Sequence, residues 1–248
     1  MLTIAVLRAS AVPAVCLAFS IGAIAAEGEA AASARQWSAH DRSLARSGGE
    51  VLDEGEREIE PAFAYESSRG DDAYRRREWS VALRAGLPGA TQIELVLPYA
   101  RESFDGETIK GTGDVQLELA KQFDTPENAP ELIGSIALRR SGRTGQGHDS
   151  IDAALTAVKS LETVDVVASL GYSFGRSRAT LGSLSVHWDA TPTVAMRAGV
   201  AGTRRALVGE LGVSISLSER LILDVTAGRG LTREAPDYTF GVSLPFRF

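Results

Sequence analysis

The sequence predicts an all-β protein, a transmembrane antiparallel up-and-down β-barrel of about twelve strands. Three observations predict it. From about Glu58 to the last residue, apolar and polar side chains alternate with period two, as they do in strands whose two faces meet different surroundings. No stretch after residue 25 approaches the roughly 18 apolar residues of a membrane-crossing helix. The chain ends on its most regular alternation, YTFGVSLPFRF, with Phe248 as its final side chain.

Two segments of another character precede the alternation. Residues 1–25 carry one charge, Arg8, then an apolar run from Ala9 to Ile24 that closes on Ala23-Ile24-Ala25. That is the pattern of a cleaved secretory signal peptide. Residues 26–57 are polar and lack sustained periodicity, and are expected to be a flexible periplasmic leader with a short helix around residues 37–46. Residues 58–248 are the expected barrel. The only cysteine, Cys16, leaves with the signal peptide, so no disulfide is expected in the exported chain. Losing Arg8 takes the formal net charge from −6 to −7, which argues against nucleic acid as a partner.

The strands follow one rule. In EIEPAFAYE, Ile59, Phe63 and Tyr65 alternate with Glu58, Glu60 and Glu66. EWSVALRAGL sets Trp79, Val81, Leu83 and Leu87 against Glu78, Ser80 and Arg84, and a turn follows at Pro88-Gly89. TQIELVLPY sets Ile93, Leu95, Leu97 and Tyr99 against Gln92 and Glu94, and DVQLELAKQF sets Val115, Leu117, Leu119 and Phe123 against Gln116, Glu118 and Gln122. ELIGSIALR continues the pattern. Residues 151–161 form an alanine-rich stretch that puts Lys159 on the apolar face. TVDVVASLGYSF restores the contrast, with Val164, Val166, Leu170, Tyr172 and Phe174 opposite Asp165, Ser169 and Ser173. SLSVHW, TVAMRAGV, ALVGELGVSISL, LILDVTAG and the terminal strand complete about twelve.

Strands of roughly nine to eleven residues cross a bilayer at a tilt. A chain in hydrocarbon must pair its backbone groups internally, and a closed barrel does so. A secreted soluble β-sandwich also alternates, but two chain-wide features favour the barrel. Long connections at residues 67–77, 101–113, 141–150 and 229–237 tend to alternate with short turns at 88–90, 189–192 and 218–220. The tyrosines Tyr65, Tyr74, Tyr99, Tyr172 and Tyr238 fall at the loop-side strand ends, while Phe123, Trp188, Phe246 and Phe248 fall at the turn side. Two membrane interfaces sort aromatic rings by height in this way.

REIEPAFAYESS, LPGATQIELVLPYA, GTGDVQLELAKQF and above all LILDVTAGRGLTREAPDYTFGVSLPFRF resemble the outer-membrane barrels grouped as the "MetA-pathway of phenol degradation" family, over about residues 49–248. The resemblance implies an outer-membrane transporter or channel, in some members linked with the breakdown of aromatic compounds; a monomer in the outer membrane of a Gram-negative bacterium is expected. The resemblance also implies that Phe248 is the assembly signal read by the barrel-assembly machinery. Outer-membrane lipid and small solutes are the other expected partners.

No catalytic, cofactor-binding or metal-ligand spacing emerges. Histidines are scarce: His40, His148 and His187. A serine–histidine pair on a barrel rim would need outward parity, and His187 has inward parity, so it is expected to be a hydrogen-bonding group in the lumen. The candidate lumen-lining residues are Glu60, Glu78, Arg84, Glu94, Glu118, Arg139, Asp165, His187, Arg197, Glu210, Asp224 and Arg247. Charges of both signs are expensive in a dry interior, so the lumen is expected to be hydrated or cross-braced by ion pairs. Carboxylates outnumber the arginines, which favours cations if the lumen conducts. A plugged barrel braced by Arg–Glu pairs, acting structurally or in adhesion through its loops, is the competing expectation.

Overall fold

The computed structural model describes residues 51–69, 73–104, 106–144, 149–175 and 178–248. The expected signal peptide, most of the expected leader with its helix, His40 and His148 lie outside the described residues.

The strands are β1 (Arg57–Ser68), β2 (Tyr74–Leu87), β3 (Thr91–Phe104), β4 (Glu107–Thr112), β5 (Val115–Phe123), β6 (Glu131–Arg140) and β7 (Ser150–Leu161). They continue as β8 (Val164–Phe174), β9 (Ala179–Thr191), β10 (Val194–Gly202), β11 (Leu207–Ser218), β12 (Leu221–Gly230), β13 (Tyr238–Ser243) and β14 (Phe246–Arg247). β4 and β5 are two parts of one pass, broken at Gly113 and Asp114, and β13 and β14 are two parts of another. The fourteen segments therefore make twelve passes, each antiparallel to its neighbours. β1 pairs with β2 on one side and with β13 and β14 on the other, which closes the sheet into a barrel. Closure gives the strands at the seam partners on both sides, so no sheet edge is left there to recruit another chain.

Burial settles which face is which. Glu58, Glu60, Glu66, Glu78, Glu94 and Glu118 are buried, whereas Leu211 is 66% exposed and Leu170 59% exposed. Polar side chains point in and aliphatic ones point out, the reverse of a soluble sandwich and the arrangement a lipid-facing wall needs. Lys159 stands on the outer face as its parity requires. Its Nζ reaches the Asn128 carbonyl at 2.8 Å in the adjacent turn, so the charge leaves the apolar band along its own aliphatic stem.

Three expectations change. The connections at 67–77 and 101–113 are largely strand. β1 runs to Ser68 and β2 starts at Tyr74, while β3 continues to Phe104 and pairs with β4 as a hairpin from Tyr99↔Thr112 to Phe104↔Glu107. Both faces of such a ribbon meet polar surroundings, so its sequence loses the apolar–polar contrast that marks a strand. Tyr74 sits at the expected height but faces inward, where its hydroxyl donates to Glu66 Oε2 at 2.5 Å; the outward tyrosines include Tyr99 and Tyr238. Finally, residues 51–56, inside the stretch read as flexible leader, are seated in the turn-end mouth of the barrel. The Leu52 amide donates to Gln92 Oε1 at 3.0 Å, and Val51 packs with Ala120 and Ile133. Gly86 leaves the room: a Cβ there would lie 1.9 Å from the Asp53 carbonyl oxygen.

The terminal strand behaves as its sequence predicts. Pro245 has no amide to donate, and the ladder breaks between Ser243 and Phe246. The Leu244 amide turns to the Pro61 carbonyl at 3.0 Å, and the Pro245 carbonyl accepts from the Ile222 amide at 3.1 Å. Pairing then resumes, and Arg57 and Phe248 exchange both backbone hydrogen bonds, at 3.2 and 2.9 Å.

Candidate functional site

The lumen has two walls of different chemistry. On β1 to β6 the inward positions carry long charged side chains. Glu58, Arg84, Glu94 and Glu118 stand side by side in register across β1, β2, β3 and β5. Arg84 donates to Glu94 Oε2 from Nε and to Glu60 Oε2 from Nη2, both at 2.6 Å, and to Glu58 from Nη1. Arg247 on β14 reaches the other oxygen of Glu58 at 2.9 Å. Gln116 donates to Glu118 at 3.0 Å, and Arg139 pairs with Asp152 at 3.1 Å. Nearer the other rim, Arg76 bridges Glu78 and Glu102, the latter at 2.7 Å.

The charged groups of this wall are deeply enclosed: Glu58, Glu60, Glu78, Arg84, Glu94, Glu118 and Arg139 are 3–9% exposed. Taking each ion out of water costs several kcal/mol, and the charge-assisted, partly forked hydrogen bonds of the guanidinium groups offset that cost. Because Arg84 holds groups from β1 and β3 at once, and Glu58 holds Arg247 from the last strand, the network braces the barrel across its closing seam.

On β7 to β13 the inward positions are mostly small: Ala154, Thr156, Ser169, Gly171, Ser185, Gly199, Gly212, Ser214, Thr226, Gly228, Thr239 and Gly241. The charged groups here are half-buried instead. Asp165, His187 and Arg197 are in-register neighbours on β8, β9 and β10. His187 Nε2 hydrogen-bonds the Ser185 hydroxyl at 3.0 Å. Arg197 lies over Gly212 of β11, where a Cβ would approach its Nε to 3.2 Å, and Glu210 lies over Gly228 of β12, where a Cβ would approach its Cγ to 3.0 Å. A missing side chain on the neighbouring strand lets each long side chain lie along the wall. Asp224 projects between Ser214 and Ser243.

All twelve expected lumen residues thus keep inward parity, but they fall into two groups. Glu60, Glu78, Arg84, Glu94, Glu118, Arg139 and Arg247 belong to the braced wall, and Asp165, His187, Arg197, Glu210 and Asp224 to the small-residue wall. The braced wall also uses Glu66, Tyr74, Arg76, Glu102 and Asp152. Parity would have found Arg76 and Glu102 had their segments been read as strand. No group of three metal-ligating side chains occurs among the described residues.

No protein-family model matches the sequence, and no curated protein does. Solved structures match the fold. An outer membrane channel from Pseudomonas putida F1 superposes with a TM-score of 0.67 over 80% of this chain and 97% of that one, at 14% identity. The KdgM porin, solved with a disordered oligogalacturonate, gives 0.58 over 76% and 99%, at 6% identity. The translocator domain of the autotransporter NalP from Neisseria meningitidis gives 0.54 over 89% and 100%, at 14% identity. A channel, a porin and a translocator share this architecture, so the likeness carries the fold alone. In fold, the chain is a closed twelve-stranded antiparallel barrel of the outer-membrane type.

Proposed function

We propose that this barrel sits in the outer membrane of a Gram-negative bacterium and passes small solutes along its β7 to β13 wall, by passive or facilitated diffusion. The observation that carries the reading is the contrast between the walls: on β1 to β6 the inward charged groups are deeply buried, while on β7 to β13 most inward positions are small and the charged groups among them are half-buried. The turn end, which holds both ends of the barrel, faces the periplasm. Solutes bearing hydrogen-bonding groups suit this lining, with Ser169, Ser214, His187 and Arg197 as partners. Neutral hydroxylated aromatic compounds fit that description and agree with the family resemblance. The excess of carboxylates favours cationic and neutral solutes over polyanions.

The second reading is a plugged structural or adhesion barrel, favoured by the ion-pair network and by the chain at residues 51–56 in the periplasmic mouth. Liposome swelling separates the two. Vesicles carrying the purified barrel are expected to admit a pentose faster than protein-free vesicles, and equal rates sink the transport reading. Planar-bilayer recordings are expected to favour potassium over chloride.

A further inference from the structure

We propose that the outer face of β2, β3 and β4 binds the phosphate groups of the glycolipid that forms the outer leaflet of such a membrane. Arg77, Arg101 and Lys110 are direct cross-strand neighbours, Arg77↔Arg101 and Arg101↔Lys110, and all three are exposed on the lipid-facing side. Arg75, two residues above Arg77, has the same parity and is also exposed. With strands about 4.8 Å apart, three cations stand within about 10 Å on one face. Like charges directly opposite one another destabilise a sheet, and an anion lying across them removes that cost.

Two further observations say which anion. The charges at this level are sorted by face: Glu66, Glu78 and Glu102 all point into the lumen, where Tyr74 and Arg76 engage them. The carboxylates of these strands are therefore turned away from the outer row. One step below it lies an outward aromatic row of Phe63, Trp79 and Tyr99, with Phe63 and Trp79 rings 5.4 Å apart. Aromatic belts mark the membrane interface, so the cations stand at head-group height on the loop side. Two guanidinium forks and an ammonium are the donors that phosphate oxygens need.

The proposal rests on the outer-membrane reading above. The full-length barrel, extracted in detergent, is incubated with lipid A or with phosphatidylglycerol, and retained lipid is counted by native mass spectrometry. Wild type is expected to retain lipid A in preference. The R77Q/R101Q/K110Q variant is expected to bind it at least about tenfold more weakly. Lys121→Gln removes an outward cation at the opposite rim, and it is expected to match wild type. The heat-dependent gel shift reports whether each barrel is intact, and the three single variants stand in if the triple variant does not fold. Equal retention by the triple variant, equal loss in Lys121→Gln, or equal retention of phosphatidylglycerol overturns the proposal. Recovery of wild type in the soluble fraction would instead overturn the outer-membrane reading, and is scored separately.

Discussion

The two walls of the lumen obey the same alternation and end in opposite states. On β1 to β6, Arg84 has glutamates as its cross-strand neighbours, Glu58 on one side and Glu94 on the other, so its side chain is held in a buried network. On β7 to β13, Arg197 has His187 on one side and Gly212 on the other, so it lies over the glycine and stays half-buried. Parity decides that a charged residue points inward. What stands beside it in register decides whether it is enclosed in a network or stays half-buried along the wall.

The harshest test of this contrast is Arg84→Ala. It leaves Glu58, Glu60 and Glu94 enclosed without the guanidinium they share, and removing one partner of a buried network costs about 3–5 kcal/mol. The urea midpoint for loss of the folded gel band is expected to fall sharply. Adding Glu60→Gln should recover part of the loss, because it removes one of the stranded charges. Arg197→Ala on the other wall is expected to move the midpoint far less. Equal losses would mean that the walls do not differ in kind.

Deleting Phe248 probes the seam where the walls meet, since β14 pairs with β1 of the braced wall and β12 of the other. The deletion removes the two backbone hydrogen bonds exchanged with Arg57 and the ring stacked on Phe246 at 6.0 Å. Two net hydrogen bonds amount to about 1–3 kcal/mol, and lost recognition by the assembly machinery would add to the effect. The expected result is less barrel in the membrane fraction, with the surviving barrel slightly less stable. An unchanged level in membranes would leave the seam without the role assigned to Phe248.

A smaller effect is expected from filling a glycine space. Gly212→Leu, whose added side chain meets only the Arg197 guanidinium, should push Arg197 off the wall into the lumen, cutting single-channel conductance at least about twofold. Ala82→Leu is the matched change on the braced wall, where Ala82 is inward and buried. Overpacking there costs about 1–3 kcal/mol and is expected to leave conductance unaltered. If both walls respond alike, solutes do not prefer the β7 to β13 side.

The sequence made the membrane-crossing part of the barrel readable because lipid on one side and a polar lumen on the other impose contrast at every second residue. Even the alanine-rich β7 follows it, and Lys159 fits once its stem is allowed to reach the turn. Legibility fails where that contrast vanishes. The β3–β4 hairpin carries polar side chains on both faces, so Arg101, Glu102 and Lys110 read as loop, and Arg76 is missed for the same reason at the start of β2. Residues 51–56 make contacts specified by Gly86, Gln92, Ala120 and Ile133, which lie 30 or more residues away in the chain. Parity named the charged lumen residues but said nothing of their partners, because the division into two walls depends on cross-strand register.

The finest distinction is ion selectivity. Asp165 and Asp224 are half-buried on the small-residue wall, where a passing ion would meet them at short range and with modest screening. Converting both to asparagine keeps their size and removes two negative charges from the proposed path. The potassium-to-chloride permeability ratio is expected to fall, by less than about tenfold given water in the lumen. Glu78 and Glu118, buried on the braced wall and engaged there by Arg76 and Gln116, give the comparison. Replacing these two by glutamine removes the same formal charge, yet the reversal potential should stay near wild type because ions on the far side do not contact them. A larger shift from the glutamate pair than from the aspartate pair would place the conducting path along β1 to β6 and reverse the roles assigned to the two walls.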